Sequence, residues 1–451
     1  MMRVHFIAIG GSAMHNLALA LHAKGDIVTG SDDAIFEPSK TRLAKQGLLP
    51  EQEGWYADKI TADIDAVILG MHAKEDNPEL IQARALGLKI YSYPEFIYEH
   101  AKNKTRVVIG GSHGKTTITS MVLHVLNYHG VEVDYLVGAQ LEGFDRMVNL
   151  TEKNDFMLIE GDEYLSSPID RRPKFHLYEP NIALLSGIAW DHINVFPTFE
   201  NYVDQFRIFI EKITNGGILI YNEEDEIVKQ LAEESANPIR KIPYTTLENE
   251  IIDGRAYLVT SEGPMPLEVF GQHNINNISG AKWVCQNMGI DEDDFFDAIT
   301  SFKGAAKRLE KLYDKGTTVV YKDFAHSPSK VKATMKAVRE QYPTKKLVAC
   351  LELHTYSSLN ADFLSEYKGS LDAADQAVVF YSLEALKIKR MPEIPAAQMQ
   401  EAFALPTLTT YTNADDFKTF IHALDLKDSV LLFMSSGDYG GLNLNTFVQN
   451  I

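Results

Sequence analysis

A chain of 451 residues is longer than one ordinary hydrophobic core supports, and its length predicts about three domains. Its 62 acidic and 43 basic side chains leave a formal charge of −19, which excludes a binder of nucleic acid or anionic membrane that works through a basic face. Any anionic ligand must therefore be met by local cations, helix N-termini or a metal ion. Hydrophobic residues at 45% and charged residues at 23% fit a globular enzyme. No apolar run reaches the roughly 18 residues of a membrane span, and no cleavable leader pattern opens the chain. Cys285 and Cys350 lie far apart without CxxC spacing and read as buried thiols of a reducing compartment. The expected location is the cytoplasm, with no membrane or nucleic-acid partner.

The first block, 1–104, opens with the apolar run Val4–Ile9, the turn Gly10-Gly11, and a helical pattern through Met14, Leu17, Ala18 and Leu21. Ile27-Val28 then leads into Gly30-Ser31-Asp32. Strand, glycine turn, helix, strand and acid form the opening of a doubly wound nucleotide fold. Gly10, Gly11 and Ser12 are candidates for holding a diphosphate, although the turn departs from GxGxxG and also suits a plain structural turn. Asp32 is either a nucleotide contact or a turn residue. Further strands are predicted over Ala66–Leu69 and ending near Tyr91.

The second block, 105–306, begins with the strand Val107–Ile109. Gly110-Gly111-Ser112-His113-Gly114-Lys115-Thr116-Thr117 follows and runs into a helical pattern through Met121, Leu123 and Leu126. Glycines there let backbone amides approach phosphate, Lys115 neutralises oxygen charge, and the Thr116 hydroxyl is offered to magnesium. Buried strands are predicted over Phe156–Glu160 and Ile182–Ser186. Glu160 ends the first of these, and Trp190-Asp191-His192 follows the second. A carboxylate and an imidazole at neighbouring strand ends can hold a divalent ion beside phosphates, though a histidine ligand is unusual for magnesium. The third block, 307–451, carries predicted strands over Thr318–Tyr321, Leu347–Leu351, Ala377–Phe380 and Val430–Met434, with helices between them.

In this order the motifs resemble those of the Mur ligases along nearly the whole chain. His5–Met14 with Gly30-Ser31-Asp32 resembles the opening of the family's UDP-muramic-acid domain, and Asn77-Pro78-Glu79 is similar to a motif late in that domain. Gly111–Thr117 resembles the ATP loop, in a compact variant that lacks the earlier glycine of the general phosphate-loop pattern. The resemblance implies an α/β, three-domain architecture: a Rossmann-like N-terminal domain, a P-loop central domain and a Rossmann-like C-terminal domain. It implies ATP and Mg2+ as cofactors, with Thr116, Glu160 and His192 at the metal. It also implies an adenine-contacting segment Gly271–Asn277, with His273, Asn274 and Asn277 toward the base. Lys307-Arg308-Leu309-Glu310 would be the junction whose Arg308 reaches the ATP phosphates, and Asp323–Pro328 the ribose segment, with Asp323 and His326. Gly10, Gly11, Ser12, Met14 and Asp32 would bind UDP-N-acetylmuramate.

The implied reaction is acyl-phosphate formation followed by amide synthesis, with Lys115, Glu160, His192 and Arg308 as its catalytic residues. Departures stand at Ala8 and Ala13, where glycines are common, at Gly187, where an asparagine is usual, and at Lys322, where an acid is frequent. They leave room for a non-catalytic nucleotide-responsive protein that keeps the fold. A monomer or weak homo-oligomer is expected.

Two acceptors compete, L-alanine and the tripeptide L-alanyl-γ-D-glutamyl-meso-diaminopimelate. In Glu352-Leu353-His354-Thr355-Tyr356-Ser357-Ser358, Thr355 and Ser358 stand where the alanine-adding branch resembles this chain but carries arginines. A free carboxylate rewards an arginine clamp, whereas an acceptor whose alanine carboxyl is already an amide would strand it. His354 and Tyr356 are the acceptor-binding candidates. Asp162-Glu163-Tyr164, Asp170–Phe175 and Met434–Gly441 also resemble stretches of the murein peptide ligase branch. For Arg171, Arg172 and Lys174, a solvated basic loop is the plain alternative. The tripeptide is the favoured expectation.

Overall fold

The computed structural model describes every residue except 139–143, 145, 253–254, 262, 306–307 and 450–451. Lys307, the first residue of the expected junction, therefore lies outside the described residues. The runs expected as strands form strands. Several of them, such as Ala66–Leu69 and Ser429–Met434, are buried along their whole length, so they read as unbroken apolar stretches rather than alternating ones. The chain folds into two compact units, Met1–Ile188 with Glu200–Thr245 and Gly280–Phe295, and Ala189–Phe199 with Thr246–Ser279 and Phe296–Ile451.

The first unit holds two sheets. Strands β1 (Arg3–Ile7), β2 (Ile27–Ser31), β3 (Ala66–Leu69) and β4 (Ile90–Ser92) lie in the order β2-β1-β3-β4, all parallel. β1 stops at Ile7, short of the expected Ile9, because Ala8 turns the chain with φ 72. That left-handed conformation costs a non-glycine residue about 1–2 kcal/mol. Glycine would adopt it without that penalty.

The second sheet of this unit contains β5 (Thr105–Gly110), β6 (Asp134–Leu136), β7 (Val148–Asn149), β8 (Phe156–Glu160), β9 (Ile182–Leu185), β10 (Ile218–Asn222) and β11 (Arg240–Tyr244). Their order is β11-β10-β9-β5-β8-β6-β7, with only β7 antiparallel to its neighbour. β5 sits between β8 and β9, with Ile109 opposite Glu160 and Gly110 opposite Leu185. The strand order reverses at this point, which opens a crevice at the carboxyl ends where ligands of such sheets bind.

At the start of β6, Asp134 is completely buried and gathers His100 Nε2 at 2.9 Å, Lys104 Nζ at 3.1 Å and the Thr151 hydroxyl at 2.8 Å. Burial opposes ionisation of this carboxyl, but the hydrogen bonds from His100, Thr151 and Lys104 outweigh it and hold its pKa below the usual value. A depressed carboxyl stabilises the fold fully above its unfolded pKa, about 3.9, and loses that contribution as pH falls through the folded value. Asp134→Asn is therefore expected to lower the unfolding free energy by about 3 kcal/mol at pH 7, because it removes the buried charge that the Lys104 ammonium faces. The gap from the parent chain should shrink below about pH 4, as read by urea melts across pH.

In the second unit, β12 (Asn249–Ile252), β13 (Arg255–Thr260) and β14 (Gly263–Pro266) form an antiparallel ribbon. The larger sheet runs β15-β16-β20-β17-β18-β19, from strands Glu310–Lys315, Thr318–Asp323, Ser429–Met434, Lys346–Glu352, Gln376–Phe380 and Thr409–Tyr411. Only β15 is antiparallel to its neighbour. Separate apolar clusters cover its faces, one containing Tyr367 and Phe403 and the other Phe417 and Tyr439. β20 lies between β16 and β17, so Asp323, Met434 and Leu351 share one level near the carboxyl ends.

Candidate nucleotide and acceptor sites

The turn after β5 has the conformation its glycines permit. Gly111 has φ 134, and a Cβ there would overlap the hydroxyl of Ser186. Gly114, with φ 80, precedes the helix Lys115–Tyr128, whose first turn has no side-chain cap and no acidic residue. Its leading amides and the positive end of its dipole thus suit an anion. Ser112 is tied to the Gly187 carbonyl through its amide at 2.9 Å and its hydroxyl at 3.2 Å, and Ser186 donates to the carbonyl of His113. Gly187 is one of the expected departures, and a Cβ there would require the His113 imidazole to move aside. Thr117 is buried in the same first turn.

Lys115 Nζ donates to the Gly111 carbonyl and to Glu163 Oε2, each at 2.6 Å. Burial works against the charged lysine, but Glu163 and Asp162 more than offset it and hold its pKa above the usual value. Glu163 is itself buried and also accepts from the Tyr202 hydroxyl at 3.1 Å. Thr116 Oγ1 donates to Glu160 Oε1 at 2.7 Å, and Glu160 Oε2 accepts from the Gly138 amide at 2.8 Å. The lysine, the hydroxyl and the carboxylate expected from the sequence thus meet at one sheet edge. Hydroxyl and carboxylate oxygens are hard donors of the kind that magnesium takes alongside phosphate and water. Among the described residues, no three His, Cys, Asp or Glu side chains converge as a self-sufficient metal set.

At the smaller sheet of this unit, Gly10 donates its amide to Asp32 Oδ2 at 2.7 Å, and a Cβ on Gly10 would press on that same oxygen. Burial raises the Asp32 pKa against this hydrogen bond. Gly11 and Ser12 open the helix Ser12–Lys24 without a side-chain cap, and Met14 is buried on it. The Asn77-Pro78-Glu79 motif acquires a structural account. Asn77 caps the helix Pro78–Ala85, with Pro78 in its first turn, and buried Glu79 takes the Tyr56 amide at 2.8 Å and faces His5 Nε2 at 3.2 Å.

In the second unit, His192 has φ 54, and its amide donates to Asp191 Oδ1 at 2.8 Å. Asp191 lies 3.5 Å from Lys330 Nζ. Burial opposes ionisation of Asp191, but Lys330, His192 and His326 outweigh it and keep the carboxyl well below its ordinary range. His326 is pushed down to about 4 by burial and then by Lys330, with its Nδ1 at 2.8 Å from the Phe324 carbonyl. Asp323 is committed to the backbone: Leu309 and Ala325 donate their amides to its two oxygens at 2.7 Å each. The Arg308 guanidinium lies 4.7 Å above the Phe324 ring. Arg308 and Asn274 both line a cavity of about 400 Å³ with Phe270, Tyr321 and Tyr342. Asn274 and Asn277 are buried on the helix Gln272–Asn287, and burial lowers the pKa of His273 beside them.

At the end of β17, buried Glu352 accepts from the Tyr439 amide at 2.9 Å and from the Ser435 hydroxyl, and burial raises its pKa. Just beyond it His354 is half-buried and Tyr356 is exposed at 51%. Thr355 and Ser358 close a turn on each other: the Thr355 amide reaches Ser358 Oγ at 2.9 Å, and the Ser358 amide reaches Thr355 Oγ1 at 3.1 Å. In the loop with three cations, Arg172 pairs with Asp170 at 2.6 Å and with Glu95 at 3.7 Å, and Lys174 pairs with Asp162. Glu163, Ser186 and Asp225, which accepts the Ile188 amide at 2.9 Å, were not among the expected site residues. Of these, only Glu163 carried a visible signal, its place three residues after Glu160.

Three family models match in sequence: "Mur ligase family, catalytic domain" over residues 3–105, "Mur ligase middle domain" over 109–285, and "Mur ligase, glutamate ligase domain" over 307–437. A UDP-N-acetylmuramate–L-alanine ligase of Sulfurihydrogenibium sp. (strain YO3AOP1) is 30% identical over 388 residues, covering 84% of this chain and 82% of that protein. The counterpart from Porphyromonas gingivalis (strain ATCC 33277) is 26% identical over 97% of this chain and 96% of its own. Among solved structures, a murein peptide ligase from Psychrobacter arcticus 273-4 superposes with a TM-score of 0.67 at 22% identity, over 100% of this chain and 98% of that one. The UDP-N-acetylmuramate–alanine ligase of Thermotoga maritima gives 0.72 at 20% identity, over 100% and 99%. At these identities the two structures speak for the fold alone.

Proposed function

This chain belongs to the Mur ligase family, and from that premise we propose that it joins UDP-N-acetylmuramate to L-alanyl-γ-D-glutamyl-meso-diaminopimelate, with magnesium assisting. It is an ATP-dependent, ADP-forming ligase of peptidoglycan synthesis with the three-domain Mur architecture. In the proposed reaction the muramyl carboxylate attacks the γ-phosphate of ATP, giving an acyl phosphate and ADP. The acceptor amine then attacks the acyl carbon, forming the amide, releasing phosphate and giving up a proton.

Lys115 and the amides of the following helix turn would hold the phosphates, and Arg308 would meet the transferring charge. Thr116 and Glu160, with His192 as the further candidate, would hold magnesium, which when bound neutralises phosphate oxygens. His273, Asn274, Asn277, Asp323 and His326 are assigned to the adenosine. Gly10, Gly11, Ser12, Met14 and Asp32 are assigned to the UDP-sugar. The domain limits 1–104, 105–306 and 307–451 belong to the same proposal, as do a cytoplasmic setting and a monomer or weak homo-oligomer.

One observation carries the choice of acceptor. The two positions that would need arginines to clamp free L-alanine hold a closed pair of hydroxyls, Thr355 and Ser358, and Ser358 is wholly buried. The second reading, L-alanine itself, is favoured by the names of the sequence relatives. Phosphate release from ATP, measured with UDP-N-acetylmuramate, magnesium and either acceptor, separates the two. Turnover is expected with the tripeptide, and equal or faster turnover with free L-alanine would reverse the assignment.

A further inference from the structure

The helix Leu383–Lys389 buries only Leu386 and ends in a basic cluster, Lys387 and Lys389 followed by Arg390. Arg390 takes φ 56 and turns the chain there. None of the three cations has an ion-pair partner among the described residues. Other cations of this chain of charge −19, such as Arg339 and Arg255, are engaged by carboxylates at 2.7 and 2.6 Å. Lys389 instead holds its ammonium 5.2 Å from the centre of the Tyr356 ring. Tyr356 is 51% exposed and Ile388 74% exposed, so two large apolar side chains accompany the cations at the surface.

The geometry points to Lys389, set against Tyr356, as the residue that reads the distal carboxylate of the acceptor peptide. This rests on the peptide reading above and extends it to a part of the acceptor not yet assigned. Tyr356 lies two residues beyond His354, in the segment that leaves the carboxyl end of β17. An acceptor entering amine first along that segment extends about 10 Å over three residues, so its third residue lies farthest from the reacting centre. Diaminopimelate brings there an aliphatic stem bearing a carboxylate and an ammonium. The Tyr356 ring and Ile388 suit the stem, and Lys389 suits the carboxylate. Cations at a helix C-terminus also favour its dipole, so a purely structural role is the competing account.

The test compares the tripeptide with an analogue ending in L-lysine, which keeps the stem and the amine but lacks the distal carboxylate. Phosphate release is followed for the full chain with ATP, magnesium and UDP-N-acetylmuramate. The parent enzyme should prefer the diaminopimelate peptide. Lys389→Ala and Lys389→Gln should raise KM for that peptide about tenfold, with kcat and the KM for ATP unchanged, and should erase the preference over the lysine analogue. Lys389→Arg should retain the preference. A parent and Lys389→Ala that discriminate equally would overturn the inference and leave the peptide reading standing. Preference of the parent enzyme for free L-alanine over both peptides would overturn both.

Discussion

Lys115→Ala is expected to lower ATP turnover by about 10³-fold or more, since it removes the one cation in the phosphate turn from a reaction that depends on charge stabilisation. The structure adds a second consequence that the motif does not convey. Lys115 is the partner of buried Glu163 at 2.6 Å, so alanine leaves that carboxylate uncompensated and should cost about 3 kcal/mol of stability. The double variant Lys115→Ala/Glu163→Gln separates the two effects. It should recover most of the lost stability in thermal or urea unfolding while phosphate release stays at the floor. Turnover returning with stability would mean that the lysine acts through folding alone.

The second large effect concerns Glu160→Gln. The substitution keeps the size of the side chain and one acceptor oxygen for Thr116 or Gly138, so the fold is expected to persist. It removes the negative charge that a divalent ion needs, and turnover at fixed magnesium should fall on the order of 10²-fold. The magnesium concentration for half-maximal rate should rise in parallel. A variant with parental magnesium dependence would remove Glu160 from the metal.

The strand, turn and helix start around the candidate phosphate site were legible because their signals are local: an apolar run, glycines at positions of positive φ, then Lys115 and Thr116 at a helix start. Glu160 was legible for the same reason, as the polar end of an apolar strand. The partner of Lys115 was not, because Glu160, Asp162 and Glu163 all stand within four residues. Which of them faces the lysine is decided by the path of the loop after β8, which no spacing encodes. Ser186 was read only as a strand end. Its importance appears once β9 is laid beside β5 and the hydroxyl fills the space a Gly111 side chain would need. The ribbon β12–β14 escaped notice because β12 is mostly exposed and presents no apolar run. The departure at Gly187 carried no signal of what packs beside it, and the His113 imidazole lies where its Cβ would stand.

The seating of β5 between β8 and β9 also bears on how the protein comes into being. During synthesis the glycine turn emerges well before the two strands that wall it, and a chain halted ahead of Ile182 would carry the phosphate motif without Ser186 or Gly187 to hold its shape. The cradle is therefore a late product of assembly from segments distant along the chain. A fragment ending ahead of Ile182 would have the turn amides and Lys115 without the Ser186 and Gly187 bonds that fix their arrangement.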